Sequence, residues 1–243
     1  MNAAWRAELT KVATVRGQWI GAALAALSIP LVSLLVVATG GLGSSSTITW
    51  GAATGSLAGL LAFGIWSGIL AAGEYATQTV VVSLTTVPRR PVLYGAKLAA
   101  AATVAGVGTL LSTALSLVIV LAVTPGHHPF GDPAALFGVV LVAMAVAALG
   151  AAVGIATRSP SASIVIMTVA LLLPKAAGGL LGWLQPWVVG ASPGTVASEI
   201  VGGQPLPTSQ VYPAGVAAAI GTMLLVALVA ATAAAYSFVR RDG

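Results

Sequence analysis

Cysteine is absent from the 243 residues, which excludes disulfides and thiolate metal sites and leaves the redox compartment open. Charge is nearly as scarce, since Asp, Glu, Lys and Arg make up 6% of the chain, where a globular protein carries roughly a quarter. Acidic residues number 5, and none falls in the middle of a long apolar run; histidine occurs only as the neighbours His127 and His128. That distribution lacks the intramembrane carboxylates and histidines through which most ion-coupled transporters and pumps relay protons. No G-x-x-x-x-G-K-[ST] loop is present to hold a nucleotide, and no H-E-x-x-H to hold zinc. Serines are plentiful, but with both histidines in one loop an intramembrane hydrolase is poorly served. His127, His128 and Asp132 lie together in a turn-rich, solvated loop that needs no metal. The residues therefore name no catalytic group, no cofactor-binding group and no metal ligand.

What is there is hydrocarbon. Hydrophobic residues make up 58% of the chain and the mean hydropathy is +1.03. A bilayer core about 30 Å thick takes roughly 20 apolar residues per helix, and runs of that length recur here between short polar breaks. Every backbone polar group in hydrocarbon must be satisfied internally, so this pattern predicts an all-α integral membrane protein with one transmembrane domain over residues 1–243. The formal charge of +5 does not point to nucleic acid, because the basic residues sit thinly at the ends of apolar runs.

In chain order, residues 1–18 place Trp5, Leu9, Val12 and Ala13 on one face and Arg6, Glu8, Lys11 and Arg16 on the other, the pattern of an amphipathic helix lying along the membrane surface. The first span covers about 19–38 with Pro30 inside it, the second about 51–72, the third about 92–124, the fourth about 134–157, the fifth begins near Ser161 and meets Pro174 and Lys175, and the last covers about 213–238. The third run is too long for hydrocarbon alone, so Lys97 marks a projecting end where it can snorkel to the surface. Residues 176–212 are apolar but broken by eleven glycines and prolines, so they predict an outer-face region of short interfacial or re-entrant helices, one starting at Pro193 with Ser192 as its cap. Gly51, Gly55, Gly59, Gly64 and Gly68 in the second span, and Gly150 and Gly154 in the fourth, leave stripes where another backbone can come close, within the bundle or in a second subunit. Six spans put both termini on one side. Nine of the ten basic residues then share one face, with Lys175 alone on the other, and the positive-inside rule makes the first face cytoplasmic.

Between the second and third spans the chain collects polar and charged residues. This segment, 74–91, runs from Glu74 and Tyr75 through Thr79, Val81, Leu84 and Val87 to Arg89 and Arg90. It lies at a membrane surface, open to a partner in water. A plainer reading makes Glu74, Arg89 and Arg90 markers of the membrane boundary. Residues 79–87 are β-prone by composition.

The chain resembles the membrane subunit, or permease, of type-2 ABC transporters. The residues that carry the resemblance are Glu8, Lys11 and Arg16 before the early Trp19; Glu74 and Tyr75 followed by Thr79, Leu84, Pro88, Arg89, Arg90, Ala96 and Lys97; and Gly150, Gly154, Arg158, Ser159 and Pro160. Where that family often has a glycine before the threonine of the Glu-Tyr segment, this chain has Gln78. The resemblance implies a cytoplasmic coupling helix over 79–87 with Glu74, Tyr75, Thr79, Val81, Leu84, Val87, Arg89 and Arg90 at the contact with a separate ATP-binding subunit. It also implies ATP and magnesium on that subunit and not on this chain, two permease copies or homologues in the membrane, and efflux of a lipid-like molecule, hydrophobic drug or peptide across a cell inner membrane. Two other classes compete: a non-transporting assembly or immunity protein that uses the same loop, and a secondary transporter.

Overall fold

The computed structural model describes residues 2–43, 46–80, 89–124, 128–203 and 206–241, without the side chains of Asn2 and of 239–241. The chain is all-helical, with no strand among the described residues. In chain order the helices are α1 (Asn2–Thr14), α2 (Arg16–Ala38), α3 (Ile48–Ala53), α4 (Ser56–Ala76), α5 (Arg90–Val123), α6 (Ala135–Thr157), α7 (Pro160–Ala176), α8 (Gln185–Gly190), α9 (Pro193–Val201) and α10 (Val216–Arg241). Five elements are long and apolar enough to cross a membrane: α2, the α3–α4 unit, α5, α6 and residues 216–238 of α10. They make the chain a multi-pass membrane protein by length and composition. The 17-residue α7 is apolar but short, about 25 Å at 1.5 Å per residue.

α4 and α6 form the centre and share the most extensive helix contact. Burial follows, since 61% of the apolar window of α3–α4 is covered but only 11% of that of α10, which lies at the edge. α2 packs across α4 and α5, α7 against α4 and α6, and α10 against α6. The glycine stripes make the centre possible. A Cβ on Gly150 would fall on the Gly64 carbonyl oxygen, and one on Gly154 on the Gly68 carbonyl oxygen. A Cβ on Gly55 would likewise fall on the Ile29 backbone of α2, and one on Gly59 on the Ile29 side chain. The stripe of the second span is therefore consumed by contacts within the chain, which removes it as a surface for a second subunit.

Several boundaries follow from capping. Thr47 accepts a hydrogen bond from the Trp50 N–H at 3.1 Å to start α3, and Ser159 accepts one from the Ala162 N–H at 3.4 Å to start α7, with Pro160 in its first turn. Pro30 lies inside α2, which stays one continuous helix. α9 begins at Pro193 as its sequence suggests, but Ser192 makes no capping bond; its hydroxyl donates to the Val189 carbonyl at 2.7 Å.

Two corrections concern charge. α1 does not turn all its charged residues to water: its buried stripe is Ala4, Glu8 and Val12, four residues apart, so a carboxylate lies on the inward face, whereas Ala13 is exposed. Lys97 does not snorkel, because its side chain is only 7% exposed and is held inside the bundle.

Candidate functional site

Four charges converge where α1, the end of α4 and the start of α5 meet. The Lys97 ammonium lies 2.5 Å from Glu74 Oε1 and 3.3 Å from each Glu8 oxygen. Lys11 lies 2.8 Å from Glu8 Oε1 and 3.1 Å from Glu74 Oε1. Each lysine thus bridges both glutamates, and the four formal charges cancel. Glu8 and Lys97 are almost fully buried, Glu74 is 14% exposed at its side chain and Lys11 40%. Buried ions survive only when paired and hydrogen-bonded, so the cluster works as a unit, and removing one member leaves the others uncompensated.

Local structure brings these groups together. α1 and α2 are separate helices, broken at Val15, and the joint is fixed where the Trp66 indole N–H donates to the Gln18 carbonyl at 3.0 Å. That contact sets α1 across the bundle end. Lys97, two turns into α5, then reaches inward to the last turn of α4. A cleft of about 490 Å³ opens beside the cluster, lined by Lys11, Val15, Gln18, Leu70, Gly73, Glu74, Thr77 and Thr79.

Partial burial lowers the proton affinity of Lys11, but the hydrogen bond to Glu8 and the charges of Glu74 and Glu8 outweigh it, so its pKa stands above the ordinary lysine value. A raised lysine pKa adds stability that is complete below the unfolded value and lost only as pH climbs through the folded one. The Lys11 contribution is accordingly constant through the neutral range.

Tyr75 faces another partner. Its ring lies under the Arg158 guanidinium, 5.2 Å from centroid to carbon, a cation–π contact of about 0.5–2 kcal/mol. Arg158 ends α6 in the left-handed conformation, φ 55°, at the tight turn into α7. At the same bundle end the Tyr94 hydroxyl donates to the Ala231 carbonyl of α10 at 2.6 Å, and Phe238 packs against the Tyr94 ring. Lys175 lies elsewhere, lining a cleft with Val36, Trp50 and Gly194.

Of the proposed coupling residues, Glu74 and Tyr75 are engaged as described, Thr79 is exposed with its hydroxyl 2.9 Å from that of Thr77, and Arg89 is the exposed residue preceding α5, whose first residue is Arg90. Val81, Leu84 and Val87, and the expected helix around them, lie outside the described residues. Glu8, Lys11, Lys97 and Arg158 belong to the site, although from the sequence they had only places in a pattern of charge and in the family resemblance and no contact with one another. The signal was their scarcity: few charges, spaced to fall at one bundle end. Unforeseen too is a row of buried hydroxyls on α5, Thr109, Ser112, Thr113 and Ser116, in which Thr109 Oγ1 and Ser116 Oγ have no hydrogen-bond partner.

Gln78 adopts φ 57°, the left-handed region, just past the end of α4. A side chain there costs about 1–2 kcal/mol, which glycine avoids. This is the position where the resembling family often carries glycine. Gln78→Gly is expected to raise stability by about 0.5–1 kcal/mol after its larger unfolded-state entropy is subtracted, measured as a shift in the unfolding midpoint in mixed micelles; a lowered midpoint would contradict the strain.

Among the described residues no group of three or more His, Cys, Asp or Glu could hold a metal ion, and His128 Nδ1 instead lies 3.3 Å from the Ser46 carbonyl. The site's chemistry is that of a rigid junction, in which ion pairs and a cation–π contact tie α1, α4, α5 and the α6–α7 turn together. No protein-family model matches the sequence, and no curated protein matches it either.

Proposed function

We propose that the chain is the transmembrane subunit of an ATP-driven transporter of the type-2 ABC class, an exporter of a hydrophobic or amphipathic molecule that couples to a separate ATP-binding subunit. The observation that supports this reading most is the ion cluster: Glu8, Lys11, Glu74 and Lys97, drawn from three distant segments, meet beside the loop from α4 to α5. A partner seated on that loop would act on α4 and α5 at once and, through Glu8, on α1. Transport by alternating states requires such a shared, stiff junction. In this reading α7 is a sixth span, thinning the bilayer or drawing on the 3₁₀ turns that follow it at Gly178–Leu180 and Gly182–Leu184 to cross it, and both termini and the ion cluster are cytoplasmic. Residues 176–212 then lie at the outer face as interfacial or re-entrant helices. A second permease copy or homologue completes the path. With the glycine stripe buried, the exposed Leu24, Leu27, Leu31 and Leu35 of α2 form the available face.

The test is co-purification with a Walker-motif ATPase, which neither an assembly or immunity protein nor a secondary transporter requires. Leu84→Asp is expected to leave the chain inserted while reducing ATPase recovery at least tenfold and abolishing substrate-stimulated ATP hydrolysis. Asp132→Asn, in the opposite loop, is expected to change neither. Normal complex formation by Leu84→Asp together with Glu74→Lys would overturn the coupling role of the loop.

A further inference from the structure

Between α6, α7, α8 and α10, away from the ion cluster, lies a cavity of about 380 Å³, within the range of small-molecule sites. Leu149, Leu171, Met223 and Val226 contribute apolar walls, the exposed Trp187 lines it, and no charged residue does. The Trp187 ring stands edge-on to that of Tyr212 with centroids 5.3 Å apart.

The hydroxyl groups in this lining share one property. Ser192 gives its hydroxyl proton to the Val189 carbonyl at 2.7 Å, and Thr222 gives its own to the Ala218 carbonyl at 2.9 Å. Each hydroxyl also pairs with a second one, Ser192 with that of Thr195 at 3.0 Å and Thr222 with that of Tyr212 at 2.9 Å, so the single proton of each is already committed and neither can donate into the cavity. The third group is created by Pro174 inside α7: proline has no N–H, so the carbonyl of Ala170, four residues earlier, lacks its helical donor. Ala170 and Pro174 both line the cavity. Apart from the indole N–H of the half-exposed Trp187, the polar groups of this lining accept, and the Ala170 carbonyl is the one whose ordinary donor is missing, so the space favours a neutral molecule that brings a donor. Ala170 and Val226 are exposed, and α10 is the least buried of the long helices, so the open side faces the surroundings of the bundle, which for such helices are hydrocarbon.

We propose that this cavity binds a neutral single-chain amphiphile drawn from the bilayer, a long-chain alcohol or primary amide by class, whose polar end donates a hydrogen bond to the Ala170 carbonyl while its chain lies along Leu149, Leu171 and Val226. The proposal is independent of the ATPase reading, because it concerns this chain alone. The chain is reconstituted in nanodiscs and irradiated with a dodecanol carrying a mid-chain diazirine, and the labelled peptides are mapped by mass spectrometry. Label is expected on residues 187–193 and 222–227, displaced by dodecanol and about fivefold less well by dodecyl methyl ether, which has no donor. Pro174→Ala returns an N–H to the Ala170 carbonyl and is expected to remove the preference for alcohol over ether while leaving helical content unchanged. Ala227→Phe, which fills the cavity, is expected to remove the label from both segments. Unsaturable label spread evenly along lipid-exposed helices, equal displacement by alcohol and ether in the unmodified chain, or an undiminished preference in Pro174→Ala would each overturn the proposal.

Discussion

Lys97→Glu is expected to cost the fold at least 3–5 kcal/mol, the range for stranding one partner of a buried ion pair. The substitution would place three carboxylates around a single, partly exposed ammonium, that of Lys11, with Glu8 and Glu74 too buried to draw on water. A typical domain has only about 5–15 kcal/mol of net stability, so most of the purified variant should be unfolded or degraded. The double variant Lys97→Met with Glu74→Leu separates pairing from shape. It removes one buried charge of each sign and leaves the Glu8–Lys11 pair, and apolar replacement of buried pairs is often neutral. We expect it to recover most of the lost stability in denaturant titrations followed by tryptophan fluorescence. If Lys97→Glu unfolded at the same midpoint as the unmodified chain, the cluster would be no structural element at all. If the double variant were stable yet failed to recruit the proposed ATPase, the charges would have a role in the proposed coupling beyond holding α1.

Helix positions were largely legible in the sequence, because a chain in hydrocarbon must close its own backbone hydrogen bonds and so shows its spans as apolar runs. The end of α4 near Ala76, the start of α6 at Ala135 and the start of α9 at Pro193 follow from polar or proline breaks. The break between α3 and α4 was not legible, since Thr54 and Gly55 sit in an unbroken apolar run and the interruption comes from the close approach of Gly55 to the Ile29 backbone. The ion cluster escaped for a different reason. An amphipathic reading of residues 1–18 assigns every charge to water, and nothing local shows that Glu8 has a partner 89 residues away. The identity of glycines as packing sites was readable, but their partners were not: spacing shows that a backbone can approach, and only the fold decides that the neighbours are α2, α6 and α7 and not a second subunit.

The second large effect is expected at Gly150. In Gly150→Leu the new Cβ would meet the Gly64 carbonyl oxygen and Ser67 Oγ, so the obstacle is largely backbone and cannot rotate away. Overpacking against yielding side chains costs about 1–3 kcal/mol, and here α4 and α6 must separate along their whole contact, so we expect more than 3 kcal/mol. The measurement is the SDS fraction at half-unfolding in mixed micelles, beside Gly73→Ala as control. Gly73 is a helical position with nothing within 4 Å of an added Cβ, so that change should stabilise by about 0.5–1 kcal/mol. Equal behaviour of the two variants would mean that α4 and α6 are not in backbone contact.

The inward carboxylate of α1 also dictates an order of events during synthesis. Glu8 leaves the ribosome 89 residues ahead of Lys97, which at translation rates of about 5–20 residues per second is a delay of roughly 4–18 s. Throughout that interval its place in the bundle does not exist. Lys11, three residues on and 2.8 Å away in the finished protein, is the one cation of the cluster already present, and the pair can wait at the water interface without entering hydrocarbon. Only when α4 and α5 are both inserted can Glu8 exchange water for Lys97. α1, made before α4 and α5, is thus among the last helices to reach its position, and a nascent chain arrested before residue 97 should keep α1 open to protease while α2 is already protected.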